Sequence, residues 1–293
     1  MKIAAAQMVS TPDVAENLDA ARRLVAQAAA EGAQLVALPE YFCLLGRSDR
    51  DKLAIAEEPG DGPIQRMLGE AAREHGLWLI GGTLPMAIAG DAEHVRNACC
   101  VYAPDGSLAA RYDKMHLFGF DNGRERYDEA RVLRAGSEPV TFDMPPAAGD
   151  DAPQLRVGLS VCYDLRFPEL YRALNCGPKA GGAAASLPRE EAVPAPCDLF
   201  AVPSAFTHTT GEAHWELLLR ARAVENQAYV IAPAQGGLHA NGRRTWGHSM
   251  IVGPWGEVLA CLPEGEGFVT AELDASRIAA VRRQLPALAH RRM

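Results

Sequence analysis

The chain has 293 residues, 48% of them hydrophobic and 23% charged, with a formal net charge of −8. This is the profile of a soluble globular protein long enough for a substantial core. No basic stripe runs along it, so neither nucleic acid nor an anionic membrane is expected as a partner, and the acidity reads as solubility.

In chain order, residues 2–8, Lys-Ile-Ala-Ala-Ala-Gln-Met, read as a strand, and an amphipathic helix over 14–31 follows, capped near Thr11 or Asp13. A strand at 34–38 runs into Glu40, and a helix pattern over 62–75 leads to the apolar segment 77–82. Two hairpins are predicted, one turning at Asp105-Gly106 and one at Trp255-Gly256. Their similarity points to an internal pseudo-repeat. Residues 118–137 are polar and aperiodic and read as a long loop, the kind that often carries function. Residues 145–154 read as a connector, and 176–197, rich in Ala, Gly and Pro, as a mobile surface loop. Helices are predicted over 212–227 and near 278–285. Strands alternating with helices, together with hairpins, give an α/β protein with mixed sheets.

The seven cysteines are odd in number and form no Cys-x-x-Cys pair, which argues against a disulfide framework and a structural zinc site. No signal peptide is evident before the first strand, and no apolar run approaches the ~18 residues of a membrane span. A reducing, cytoplasmic setting is expected.

The chemistry concentrates at strand ends. In Val-Gly-Leu-Ser-Val-Cys-Tyr-Asp-Leu-Arg-Phe-Pro-Glu-Leu, residues 157–170, a buried run stops at Cys162 and a turn and helix follow. A thiol just before a helix N-terminus faces outward-pointing N–H groups, which favour a thiolate and can hold an oxyanion. Glu40 ends another strand, and Lys114 lies in Ala-Arg-Tyr-Asp-Lys-Met-His-Leu-Phe. An acid, an ammonium and a thiol are the elements of a hydrolytic centre. The blander readings are a core cysteine, a turn glutamate and a lysine paired on the surface with Asp113. A Cys–His enzyme using His116 or His248 is a further alternative, although both histidines suit packing and hydrogen bonding. No His-x-x-x-His or His-Glu-x-x-His arrangement occurs, so no metal is expected.

Leu-Pro-Glu at 38–40, Tyr-Asp-Lys-Met-His-Leu at 112–117 and Val-Cys-Tyr-Asp-Leu-Arg-Phe-Pro-Glu at 161–169 resemble, in order and spacing, the three signatures of the nitrilase superfamily of carbon–nitrogen hydrolases. The resemblance spans nearly the whole chain. It implies one domain over 1–293 with an insertion at 176–197, folded as a four-layer α-β-β-α sandwich with two mixed sheets, and assembled as a homodimer or higher homo-oligomer. It implies Glu40 as base, Cys162 as nucleophile, and Lys114 with the backbone N–H of Tyr163 as oxyanion holders. The reaction passes through a thioester and needs no cofactor. Glu129 falls where the superfamily carries a second glutamate that orients the lysine, with Glu125 as its rival.

The C-terminal third, with Pro-Ser-Ala-Phe at 203–206, Ala-Pro-Ala-Gln-Gly-Gly at 232–237 and Gly-His-Ser-Met at 247–250, resembles the Nit branch. Within that branch it is closer to the deaminated-glutathione amidases than to the omega-amidases. The implied substrate is a small-molecule amide, most nearly deaminated glutathione, cleaved to 2-oxoglutarate and Cys-Gly. Alternatives are 2-oxoglutaramate, an N-carbamoyl amino acid, or a binding-only role. Arg166, Ser204 and Phe206 are the candidate substrate-binding residues. A dicarboxylate substrate calls for arginine partners, for which Arg166, Arg172 and Arg243 are available.

Overall fold

The computed structural model describes residues 1–146, 153–176 and 195–292. The first half runs β1 (Lys2–Met8), α1 (Val14–Ala30), β2 (Leu35–Ala37), the single-turn α2 (Asp51–Ala54), α3 (Pro63–His75), β3 (Trp78–Ile80), β4 (Leu84–Ile88), β5 (Asp91–Tyr102) and β6 (Leu108–Asp113). The short strands β7 (Gly119–Asp121) and β8 (Arg126–Asp128) and then β9 (Thr141–Met144) follow. The second half runs β10 (Leu155–Leu159), α4 (Pro168–Cys176), β11 (Leu199–Ala201), α5 (His208–Asn226), β12 (Tyr229–Ala232), β13 (Ala234–Gln235), β14 (Ser249–Val252), β15 (Val258–Leu262), β16 (Gly267–Glu272) and α6 (Ala275–Gln284).

The two halves repeat one plan. In the first sheet β1, β2 and β3 are parallel neighbours, β5 lies antiparallel to β3, and β6 is hairpinned onto β5. In the second, β10, β11 and β12 are parallel, β14 lies antiparallel to β12, and β15 is hairpinned onto β14. The hairpins expected at Asp105-Gly106 and Trp255-Gly256 occupy matching places. The end of the chain crosses back, with β16 antiparallel to β1.

The layers follow from the period-2 alternation of buried strands. Ile3 and Ala5 of β1 face the second sheet in one core cluster, whereas Ala4, Ala6 and Met8 face outward into a cluster with Leu24 and Val25 of α1 and Met67 and Leu68 of α3. On the far side, Tyr171 and Leu174 of α4 and Trp215 and Leu219 of α5 cover the second sheet. The result is the expected four-layer α-β-β-α sandwich. The Asp13 carboxylate caps α1 by accepting from Glu16 N at 3.1 Å. Gly76, at φ +60°, ends α3 in the left-handed conformation.

Some expectations require correction. The stretch 118–137 is not a bare loop, since it contains the β7–β8 hairpin and a 3-10 turn at Glu129–Arg131. Helix α5 starts at His208 rather than 212, because the Thr207 hydroxyl caps it. The expected connector and insertion fall mostly at 147–152 and 177–194, outside the described residues. At the end of that insertion, Cys197 is fully buried and its N–H donates to Asn175 Oδ1 at 2.8 Å, so it belongs to the core.

Candidate active site

The expected site residues sit at the C-terminal ends of strands, the usual place for function in an α/β sheet. Glu40 follows β2, Lys114 follows β6, and Cys162 follows β10. Glu40 and Lys114 are each 1% exposed and Cys162 is 7% exposed, so water is largely displaced from the trio.

Lys114 Nζ donates to Glu40 Oε1 at 2.9 Å and to Glu129 at 2.8 and 3.0 Å. Glu40 is held from two more directions: Asn97 Nδ2 reaches Oε1 at 2.9 Å, and Ala205 N reaches Oε2 at 3.0 Å. Glu129 also accepts from the Tyr41 hydroxyl and Phe118 N, both at 2.7 Å. Its rival Glu125 lies elsewhere, accepting from the Thr209 hydroxyl at 2.9 Å.

The electrostatics follow from this packing. Burial penalises the charge on Lys114, but Glu129 and Glu40 outweigh it and hold the ammonium above its ordinary range. Burial likewise opposes ionisation of Glu129, but Lys114 and the donated hydrogen bonds keep its carboxyl below the usual range. For Cys162 the balance falls the other way. Burial pushes the thiol up, Glu40 and Glu129 add to that, and Lys114 offsets only part. Burial and the two carboxylates therefore work against the thiolate expected from a helix N-terminus, and a thiol beside Glu40 is set to surrender its proton to it.

Local backbone aims the thiol. Cys162 sits at φ +51°, in the left-handed region that a side chain adopts at a cost of about 1–2 kcal/mol. A 3-10 turn, Cys162–Arg166, begins there, and α4 begins only at Pro168. Cys162 N is spent on Pro203 O at 2.9 Å, whereas Tyr163 N has no acceptor among the described residues. The amide after the thiol is thus left without a partner among the described residues, whereas the amide of the cysteine itself is not.

Several supporting groups escaped the sequence reading. Asp164, fully buried, accepts from Val161 N at 2.8 Å, Tyr112 OH at 2.7 Å and His116 N at 3.0 Å. It joins the cysteine turn to the segment carrying Lys114. Arg222 of α5 clamps the same turn through Leu165 O at 2.9 and 3.1 Å. Gln235 Nε2 holds Glu40 O at 3.1 Å, and Thr83 Oγ1 takes Tyr41 N at 2.9 Å. Gly82 makes this approach possible, since a Cβ there would stand 2.1 Å from Pro39 O. The signal for Asn97 was present as a lone amide in an apolar strand; nothing in the sequence paired Arg222 with Leu165.

The cavity over the thiol is narrow, and Arg166, Phe206 and Arg243 help to line it. Arg166 lies with its guanidinium carbon 5.4 Å from the Phe206 ring centre, and Nη1 stands 3.3 Å from His214 Nδ1. Ser204 is buried and does not line the cavity; its hydroxyl donates to Val202 O at 3.0 Å. Arg172 also lies away from it, on Glu225 O at 2.9 Å. His116 stacks on Phe167 at 3.7 Å and His248 on Trp246 at 4.1 Å, the packing roles expected of them. No cluster of three or more potential metal ligands occurs among the described residues. No described helix is long and apolar enough to cross a membrane.

Comparison with known proteins agrees with this geometry. The carbon-nitrogen hydrolase family model matches residues 2–283. A deaminated glutathione amidase of Synechocystis is 40% identical over 98% of this chain and 97% of its own. The omega-amidase NIT2-A of Xenopus laevis is 36% identical over 99% of this chain and 95% of its own. The crystal structure of the C. elegans NitFhit protein superposes with a TM-score of 0.83 at 36% identity, covering 99% of this chain and 65% of that one. The chain belongs to the carbon-nitrogen hydrolase family. Within it, the chain is an amidase of the Nit branch, hydrolysing C–N bonds.

Proposed function

We propose that the protein hydrolyses deaminated glutathione to 2-oxoglutarate and Cys-Gly through a thioester on Cys162. Glu40 takes the thiol proton as sulfur attacks the amide carbon. The oxyanion is held by the Lys114 ammonium and the Tyr163 N–H. Collapse expels the Cys-Gly amine, which receives its proton from Glu40. Glu40 then deprotonates a water that attacks the thioester, and returns that proton to the departing sulfur. Glu129 fixes Lys114 throughout. No cofactor enters the cycle.

The observation that carries this reading is the Glu40–Lys114–Glu129 ion cluster, with Glu40 and Lys114 buried and both glutamates lining one cavity with Cys162. A base adjoins the nucleophile and a cation stands ready for the developing charge. Arg166, on the cavity wall, is the candidate partner for the 2-oxo acid carboxylate. The 40% identity to a deaminated glutathione amidase supports the substrate.

A second reading, omega-amidase, is favoured by the narrowness of the cavity, which suits loss of ammonia. The test is product release from deaminated glutathione and 2-oxoglutaramate by wild type and Cys162→Ala. Faster 2-oxoglutarate release from deaminated glutathione, absent in the variant, supports the first reading. Preference for 2-oxoglutaramate moves the protein to the second, and release that survives Cys162→Ala refutes the thiol mechanism.

We further propose a cytoplasmic homodimer. The free state of the six described cysteines suits a reducing compartment. Exposed apolar side chains suit self-association: Leu217 and Val224 lie two turns apart on α5, and Val224 packs against Gly256 in the turn that carries exposed Trp255. Light scattering after Leu217→Glu reads the assembly; an unchanged mass would reject this face.

A further inference from the structure

Next to the catalytic cavity lies a larger groove of about 460 Å3, and Arg243 lines both. The two are also joined through Tyr41, which lines the groove and donates its hydroxyl to Glu129. In a chain of net charge −8 this groove is locally cationic. Arg47, Lys52, Arg124, Arg126 and Arg243 line it, against the acids Asp49 and Glu125.

The pairing inside the groove leaves positive charge over. Lys52 meets Asp49 at 3.4 Å, and Arg126 meets Asp121 at 3.9 Å. Glu125 takes the Thr209 hydroxyl. Arg47 and Arg124 are exposed and make no ion pair among the described residues. Arg243 stands with its guanidinium carbon 5.1 Å from the Tyr127 ring centre and donates Nη2 to Ala205 O at 2.7 Å. Its Nε is buried and meets no acceptor among the described residues. A buried donor without a partner is costly, and a ligand oxygen would relieve it.

We propose that this groove is the leaving-group subsite, where Arg47, Arg124 and Arg243 hold the terminal carboxylate of a dipeptide-like amine while its amide lies over Cys162. The proposal rests on the amidase reading above and deepens it. Two residues separate the scissile nitrogen from the carboxylate of Cys-Gly, a span of about 7 Å when extended, so the tail extends beyond the cavity over the thiol, and Arg243 lines both that cavity and the groove. The chemistry is right as well, because guanidinium groups pair with carboxylates through two parallel hydrogen bonds. The amine must also leave toward Glu40, whose proton it takes, and Arg243 is tied to Ala205, whose N–H donates to Glu40. The groove thereby separates an amide bearing a charged tail from a primary amide that loses only ammonia.

The experiment uses the Cys162→Ala protein, which leaves the groove intact, and measures binding of deaminated glutathione and of the same compound with its terminal carboxylate converted to a carboxamide. The expected result is at least tenfold weaker binding of the carboxamide. Adding Arg47→Ala and Arg124→Ala should shrink that preference at least threefold, Arg243 remaining as the last partner of the carboxylate, while the same pair in the Cys162 enzyme still hydrolyses 2-oxoglutaramate, which has no such tail. Equal binding of acid and carboxamide by the parent overturns the groove assignment and leaves the amidase reading standing, as does an equal loss on 2-oxoglutaramate in the double variant. Failure to bind either compound, with 2-oxoglutaramate still hydrolysed, overturns both the groove and the deaminated glutathione reading.

Discussion

The Tyr112 hydroxyl donates to Asp164 Oδ2 at 2.7 Å, and this buried bond joins the strand before Lys114 to the turn after Cys162. The same carboxylate takes Val161 N, one residue before the nucleophile. The spacing of Lys114 and the Tyr163 N–H, the proposed oxyanion holders, is thus set by a residue that need not touch substrate.

Asp164→Asn should therefore damage both stability and rate. An amide turns a donor toward donors, leaving a buried N–H or O–H unsatisfied at a cost of about 1–3 kcal/mol. Urea denaturation should show that loss, with kcat falling while KM for substrate stays nearly constant. A variant of wild-type stability and rate would remove Asp164 from the positioning role.

Lys114→Ala should cost more. It leaves Glu40 and Glu129 buried together without their cation, and breaking such a cluster costs about 3–5 kcal/mol. Combining it with Glu129→Gln should restore part of the stability and none of the activity. Thermal melts and turnover of the two variants provide the check; no recovery in the double variant would mean that the like charges do not repel as described.

Cys162 should alkylate slowly near neutrality. Because burial and the two carboxylates raise its thiol above the ordinary range, the rate with iodoacetamide should climb through pH 7 to 9 without levelling. A plateau below pH 7 would mean a resting thiolate. At the same position, Cys162→Gly should be more stable than Cys162→Ala by about 1 kcal/mol, since glycine tolerates φ +51° without strain.

His239 is a source of acid sensitivity outside the catalytic group. It is 3% exposed, its Nδ1 lies 3.0 Å from Ser10 O, and burial lowers it to about 4. The unfolded chain takes up this proton near the ordinary histidine value of about 6.5, and the folded one only near 4. Unfolding then binds more protons between those values, so stability is full above pH 6.5 and declines as pH falls toward 4, by on the order of 2–3 kcal/mol. His239→Gln should flatten that part of the curve of Tm against pH; an unchanged slope would assign the acid loss to other groups.

The sequence made the repeated plan and the three strand-end residues legible because both are local. A short apolar run marks β1, and the hairpin turns at Asp105-Gly106 and Trp255-Gly256 mark their own strands. Strand β16 was illegible, since its pairing of Lys2 with Glu272 joins the two ends of the chain and leaves no trace in neighbouring residues. The β7–β8 hairpin was hidden by its polar, three-residue strands. At the site, Glu40, Lys114 and Cys162 stand in recognisable segments. By contrast, Asn97, Asp164 and Arg222 matter through partners 48 to 57 residues away, and no periodicity reports a partner at that range.

The matching halves have a consequence for the growing chain. Glu40 and Lys114 belong to the first half and Cys162 to the second, so neither half alone is a catalyst. The first sheet is itself completed by β13 and β16 from the second half, so a nascent first half would carry the proposed base and ammonium without their thiol, and a second half alone a thiol without its proposed base. On the mechanism proposed above, hydrolytic power would arise only when the sandwich closes, so completion of folding would arm the enzyme and a half-made molecule would pose no threat to the amides around it.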